Sequence, residues 1–124
     1  MTGVQTCALP ISTSHIGVAR DLVAVINHLH PEKNLSLKLP SVEEFKIDNT
    51  SRHIDIVIED EQACPRYSGF TISGIEVKES PEWLKNNLRA IGLRPISNIV
   101  DITNYVLHET GHRLHAFKIG RAHV

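Results

Sequence analysis

The segment from Ser80 to Gly111 constrains the fold most, because it carries start and stop signals for two helices in order. "SPEW" places Ser80 as an N-cap, Pro81 at the first helical position and Glu82 near the positive end of the helix dipole. Leu84, Leu88 and Ile91 then fall on one face, and Gly92 stands where a left-handed C-terminal cap belongs. After Arg94 and Pro95 the signals repeat. Ser97 is placed to cap, Ile99, Ile102, Val106 and Thr110 have helical spacing, and Gly111 marks the end.

A third helix is predicted near the start, where Ile16, Ala19, Leu22, Val23, Ile26 and Leu29 recur with the same period, Thr13 or Ser14 can cap and Pro31 ends the run. Residues 31–52 mix charge, Pro40 and polar side chains and read as a linker, within which "LSLKL" alternates like a short edge strand. "HIDIVIED" alternates Ile54, Ile56 and Ile58 with polar neighbours, and "FTISGIEV" does so with Phe70, Ile72, Ile75 and Val77. Gly74 within the second run suggests a bulge or close backbone approach. The expectation is an α+β segment, a strand pair followed by two helices and preceded by a helix and linker.

Length allows one modest domain at most. Thirteen basic and 14 acidic residues leave a net charge of -1, so there is no broad basic footprint, and a phosphate-bearing partner must be held locally. Cys7 and Cys64 form no C-x-x-C pair, which signals neither a disulfide framework nor a thiolate metal site and suggests a reducing, cytoplasmic compartment. No apolar run has the length of a membrane span, so no membrane partner is expected.

The two ends are related at the level of codons. If "TCALPI", residues 6–11, is written ACG TGT GCT CTT CCG ATC, its reverse complement read one base along encodes "IGRAHV", residues 119–124. Opposite strands of one DNA segment at both ends resemble a translated ligation adapter. Residues 1–12 and 118–124 are therefore expected to be a non-native leader and tail.

"HETGH", residues 108–112, fits the H-E-x-x-H pattern of zinc hydrolases, in which two histidines four apart share a helix face. Catalytic zinc normally takes a third protein ligand. The extended pattern needs Gly at 115 and His at 118, where the chain has His115 and Lys118, and no acidic residue follows Glu109. His108 and His112 are accordingly rejected as metal ligands, and a solvated helix end is expected; a zinc hydrolase remains the rival reading. Asp101 and Asn104, three apart, share a face and could support a polar pocket.

The run "CPRYSG … SPEWLKNNLRAIGLRPISNIVDITNYVLHETGHRLHAF" resembles the β subunit of bacterial phenylalanine–tRNA ligases in motif order and spacing, and "TSHIGVARDLVAVIN" resembles the segment leading out of that subunit's N-terminal domain. The resemblance covers about residues 13–117, a fragment of a much longer subunit. It implies that residues 13–30 close the N-terminal region, 31–52 link, and 53–117 begin the editing domain, which hydrolyses tyrosine wrongly attached to the phenylalanine tRNA. It further implies an editing pocket containing Arg94, Thr103 and His115, which Asp101 and Asn104 could support by their spacing. The implied partners are the phenylalanine tRNA and a catalytic α subunit in an (αβ)₂ assembly. ATP and Mg²⁺ serve ligation on α, and this segment carries no cofactor.

The chain departs from the family where members read Gly-Gln-Pro-Leu-His-Ala-Phe, having Gly111, His112, Arg113, Leu114, His115, Ala116 and Phe117. His112 thus completes the zinc pattern by replacing a glutamine. The family's pocket also uses a glutamate and turn residues further along, which are absent here, so the isolated fragment is expected to be inactive.

Overall fold

The computed structural model describes residues 13–51 and 54–118. The expected leader lies outside the described residues, as does the tail beyond Lys118. Two compact units are present, one formed by residues up to Leu39 together with those from Val77 onward, the other by Pro40–Glu76.

The first unit holds three helices, α1 (His15–Leu29), α2 (Glu82–Ala90) and α3 (Asn98–Thr110), with a short 3-10 turn at Pro31–Lys33 after α1. Packing centres on α3, which meets both α1 and α2. Leu84 and Leu88, one turn apart on α2, are the buried apolar side chains among the described residues. Full burial of each removes enough apolar surface from water to contribute about 2 kcal/mol.

Local chemistry accounts for the start of α1 and the ends of α2 and α3, while Ser97 stands at the N-cap of α3 without a side-chain cap bond. Ser14 caps α1, its hydroxyl accepting from the Gly17 N–H at 3.0 Å. Four side chains of the expected α1 stripe, Ile16, Ala19, Val23 and Ile26, are half-buried, whereas Leu22 and Leu29 are exposed. At about 100° per residue those two leucines fall at the margin of the stripe, beside the exposed Val18 and Val25. After the 3-10 turn, the Asn27 side-chain amide takes both backbone groups of Leu35, donating to its carbonyl and accepting from its N–H, each at 2.8 Å. Leu35 thus finds its partners on a side chain, in place of the edge-strand pairing expected of "LSLKL".

At the end of α2 the Gly92 N–H donates to Arg89 O at 3.0 Å and the Leu93 N–H to Leu88 O at 2.9 Å. This paired closure satisfies two carbonyls that a helix end otherwise leaves open, and it requires the left-handed backbone that Gly92 adopts, with φ 81°. Gly111 ends α3 in the same backbone region, its N–H on Leu107 O at 2.8 Å.

One helix start differs from expectation. Pro81, not Ser80, occupies the N-cap of α2. Ser80 is buried, and its hydroxyl is used across the unit on Asp101.

The fold class is also corrected: the regular elements among the described residues are all helices, with no strand, so these residues do not form the expected α+β class with a strand pair. Residues 54–60 and 70–77 run as irregular segments, and Ile54, Ile56, Phe70, Ile72, Ile75 and Val77 are exposed. Alternation of apolar and polar residues says which face of a strand should be covered. It supplies neither the hydrogen-bonding neighbours nor the apolar layer that make a strand stable. Within the second unit, order comes from smaller devices. Asp60 holds a turn, its carboxylate accepting from the N–H groups of Gln62 at 2.9 Å and Ala63 at 3.0 Å. Phe45 and Phe70 meet edge to face with centroids 6.2 Å apart.

Candidate functional site

The turn between α2 and α3 is where sequence and packing bring the most polar chemistry together. Asp101 lies one turn into α3 and is fully buried. One carboxylate oxygen accepts from the Ser80 hydroxyl at 2.5 Å, the other from the Ile96 N–H at 2.9 Å. Its place near the N-terminus of α3 also sets its charge against the positive end of the helix dipole. Lys78 and Asn98 join the same two segments, with the Asn98 N–H on Lys78 O at 2.8 Å and the Lys78 N–H on the Asn98 side chain at 3.2 Å.

Around this junction is a cleft of about 350 Å³ whose lining includes Ser80, Lys85, Arg89, Arg94, Ile96 and Asp101. Two of its cations are engaged. Lys85 meets Glu82 at 2.7 Å and Glu79 at 3.3 Å, and Arg89 meets Glu82 at 3.6 Å. The hydrogen bond from Lys85 holds the Glu82 carboxyl below the ordinary carboxylate range, and the bonds to Glu82 and Glu79 hold the Lys85 ammonium above the ordinary lysine range. Arg94 is exposed and has no hydrogen-bonding or ionic partner among the described residues.

The other residues singled out in the sequence are placed elsewhere. Thr103 is half-buried on α3, its hydroxyl donating to Val100 O at 2.8 Å. Asn104 follows it, also half-buried. His115 lies beyond the Gly111 cap, exposed, with its ring stacked 6.3 Å from that of Phe117. The cleft therefore gathers Arg94 and Asp101 but not Thr103, Asn104 or His115. No hydrogen bond, ion pair or ring contact among the described residues joins Arg94, Thr103 and His115.

In the "HETGH" segment, the Glu109 carboxylate accepts from the Tyr105 hydroxyl at 3.3 Å, and the His108 carbonyl accepts from His15 Nδ1 at 2.9 Å. Desolvation, then the neighbouring Glu109 charge, pushes the Tyr105 phenol up. The described residues contain no group of three or more His, Cys, Asp or Glu side chains arranged to hold a metal ion. Sequence reasoning missed Ser80 as the partner of Asp101 and missed the cations of Lys85 and Arg89 at the cleft. A serine before a proline-led helix looks like a cap, and nothing local ties it to a carboxylate 21 residues away.

Comparison with known proteins defines the class. Residues 63–123 match the B3/4 domain, a span that includes the cleft and both helices beside it and reaches into the segment set aside by the codon relation. The chain is homologous to a segment of the phenylalanine–tRNA ligase β subunit. It is 52% identical over 108 residues to that subunit of Bacteroides thetaiotaomicron, which covers 87% of this chain and 13% of the relative. It is 56% identical over 110 residues to that of Porphyromonas gingivalis, with the same two shares, and 41% identical over 113 residues to that of Fusobacterium nucleatum, covering 90% of this chain and 13% of the relative. The chain thus spans about an eighth of the length of the curated relatives it matches. No solved structure matches it.

Proposed function

We propose that this chain is a piece of a β subunit of phenylalanine–tRNA ligase, and that Arg94, Thr103 and His115 belong to a pocket that removes tyrosine wrongly attached to the phenylalanine tRNA. Arg94 carries the reading: it is an exposed guanidinium without a hydrogen-bonding or ionic partner among the described residues, beside a cleft inside the B3/4 match. A planar cation of this kind suits the phosphate or ribose of a tRNA end. Hydrolysis of the aminoacyl ester needs a held substrate and an oriented water, for which the hydroxyl of Thr103 and the imidazole of His115 have suitable chemistry. On this reading 13–30 closes the N-terminal region, 31–52 links and 53–117 opens the editing domain, with Asp101 and Asn104 supporting the pocket.

The proposed partners of the whole subunit are the phenylalanine tRNA and the ligase α subunit in an (αβ)₂ assembly in the cytoplasm. ATP and Mg²⁺ would serve ligation on α. No step here is assigned to either. No helix among the described residues is long and apolar enough to cross a membrane.

The test is made in a full-length β subunit assembled with α. Arg94→Ala is expected to slow deacylation of Tyr-tRNA(Phe) by about 10- to 100-fold, the loss typical of misplaced substrate, while the rate of phenylalanine ligation is kept. Equal loss of both activities would count against an editing role. A second reading, that the isolated chain is inactive, is favoured by the exposure of its apolar side chains.

A further inference from the structure

We infer that Ser80 and Asp101 are positioning residues for Arg94. This rests on the proposed editing role of Arg94 for its functional consequence, although the geometry stands without it. The chain between α2 and α3 is short, and both of its ends are fixed. Upstream, the Leu93 N–H closes onto Leu88 O, so the residue before Arg94 is tied to the end of α2. Downstream, the Ile96 N–H is held by the Asp101 carboxylate, which binds the turn to the first part of α3. Only Arg94 and Pro95 lie between these anchors, and the proline fixes one of the remaining backbone angles.

Asp101 can serve as the downstream anchor only if its buried carboxylate is itself oriented. Ser80 does this from the opposite side, donating its hydroxyl to the second carboxylate oxygen at 2.5 Å from a buried site of its own. With one oxygen taken by Ser80 and the other by the Ile96 N–H, the carboxylate has one rotamer that satisfies both donors. Helix dipole, hydroxyl and backbone amide all favour it there. The exposed guanidinium of Arg94 is thereby presented from a turn braced by both helices. Neither Ser80 nor Asp101 needs to touch a substrate for this role, since both are buried.

A double-mutant cycle between Ser80→Ala and Arg94→Ala, in a full-length β subunit assembled with α, separates positioning from general support. Ser80→Ala is expected to lower kcat/KM for Tyr-tRNA(Phe) deacylation by about tenfold, to have no such effect when Arg94 is already alanine, and to leave ligation intact. Hydrogen exchange of a peptide covering 93–97 is expected to quicken in Ser80→Ala, with protection kept in α2 and α3. Ser80→Thr, which keeps the hydroxyl, is expected to restore slow exchange. Additive losses, unchanged exchange at 93–97, or loss of protection across both helices would each overturn the inference. If Arg94→Ala leaves deacylation untouched while Ser80→Ala still loosens 93–97, the editing role of Arg94 fails and the bracing of the turn stands.

Discussion

Asp101 shows how far a residue's role can depart from its local appearance. In the sequence it is one of several polar residues on a helix carrying Thr103 and Asn104, and its spacing suggests a place on a polar face. In the structure it is fully buried and satisfies two donors on segments before its own helix. Removing such a group leaves the buried Ser80 hydroxyl and the part-buried Ile96 N–H without their acceptor. Asp101→Ala is expected to lower the stability of the helical unit by about 2 kcal/mol, given one buried donor orphaned at 1–3 kcal/mol and a part-buried one that water can reach. In a full-length β subunit this is read as faster hydrogen exchange throughout α2 and α3; a change limited to exposed amides would show the carboxylate to be dispensable. Burial of Asp101 was not legible in the sequence, because the partners that make it tolerable, Ser80 and Ile96, are chosen by tertiary packing. Arg94 was legible as a motif residue, and its lack of a partner among the described residues was not.

At the level of elements, helices were readable and strands were not, for one physical reason. A helix makes its backbone hydrogen bonds within itself, so period, cap and stop signals such as Ser14, Gly92 and Gly111 are enough to place it. A strand makes them with a neighbour, and alternation around Ile54 or Phe70 cannot create one. The start of α2 adds an electrostatic element. The Glu82 carboxyl is held below its ordinary 4.5 mainly by the hydrogen bond from Lys85, so this contribution to helix stability is full above pH 4.5 and is lost as pH falls through the lowered value. The Lys85 ammonium is held above its ordinary 10.5 by the bonds to Glu82 and Glu79, so its contribution is full below pH 10.5 and is lost as pH rises through the raised value. Amide protection at the start of α2, corrected for intrinsic exchange, is therefore expected to be level between these limits and to fall beyond each. Glu82→Gln should remove the acidic limb. Because the Glu79 and Glu82 side chains are largely solvated, 1 M salt is expected to weaken the effect.

For the whole chain, the balance of covered and uncovered apolar surface decides behaviour. Leu84 and Leu88 are buried, while Val18, Leu22, Val25 and Leu29 on α1 and Ile47, Ile54, Ile56, Ile72 and Ile75 of the second unit remain exposed. So small a buried set leaves little to oppose the conformational entropy of ordering the chain. The isolated chain is accordingly expected to melt over a broad range, to bind a dye specific for exposed apolar surface and to be poorly soluble. A sharp calorimetric transition would contradict this. The relationship to the ligase β subunit survives this marginal packing, because runs such as "SPEWLK" and "IGLRPISNIVDITNY" carry it in residue order, whatever covers their apolar faces.

The edge-to-face contact between Trp83 and Tyr105, with centroids 5.7 Å apart and planes at 87°, has an optical consequence. Trp83 is the chain's one tryptophan, so all indole emission comes from the start of α2. The residue is 58% exposed, yet its ring leans on α3 through Tyr105, whose hydroxyl is in turn fixed on Glu109. Indole fluorescence, excited at the red edge to spare the tyrosines, is thus a built-in gauge of whether these two helices are docked, readable without any added label.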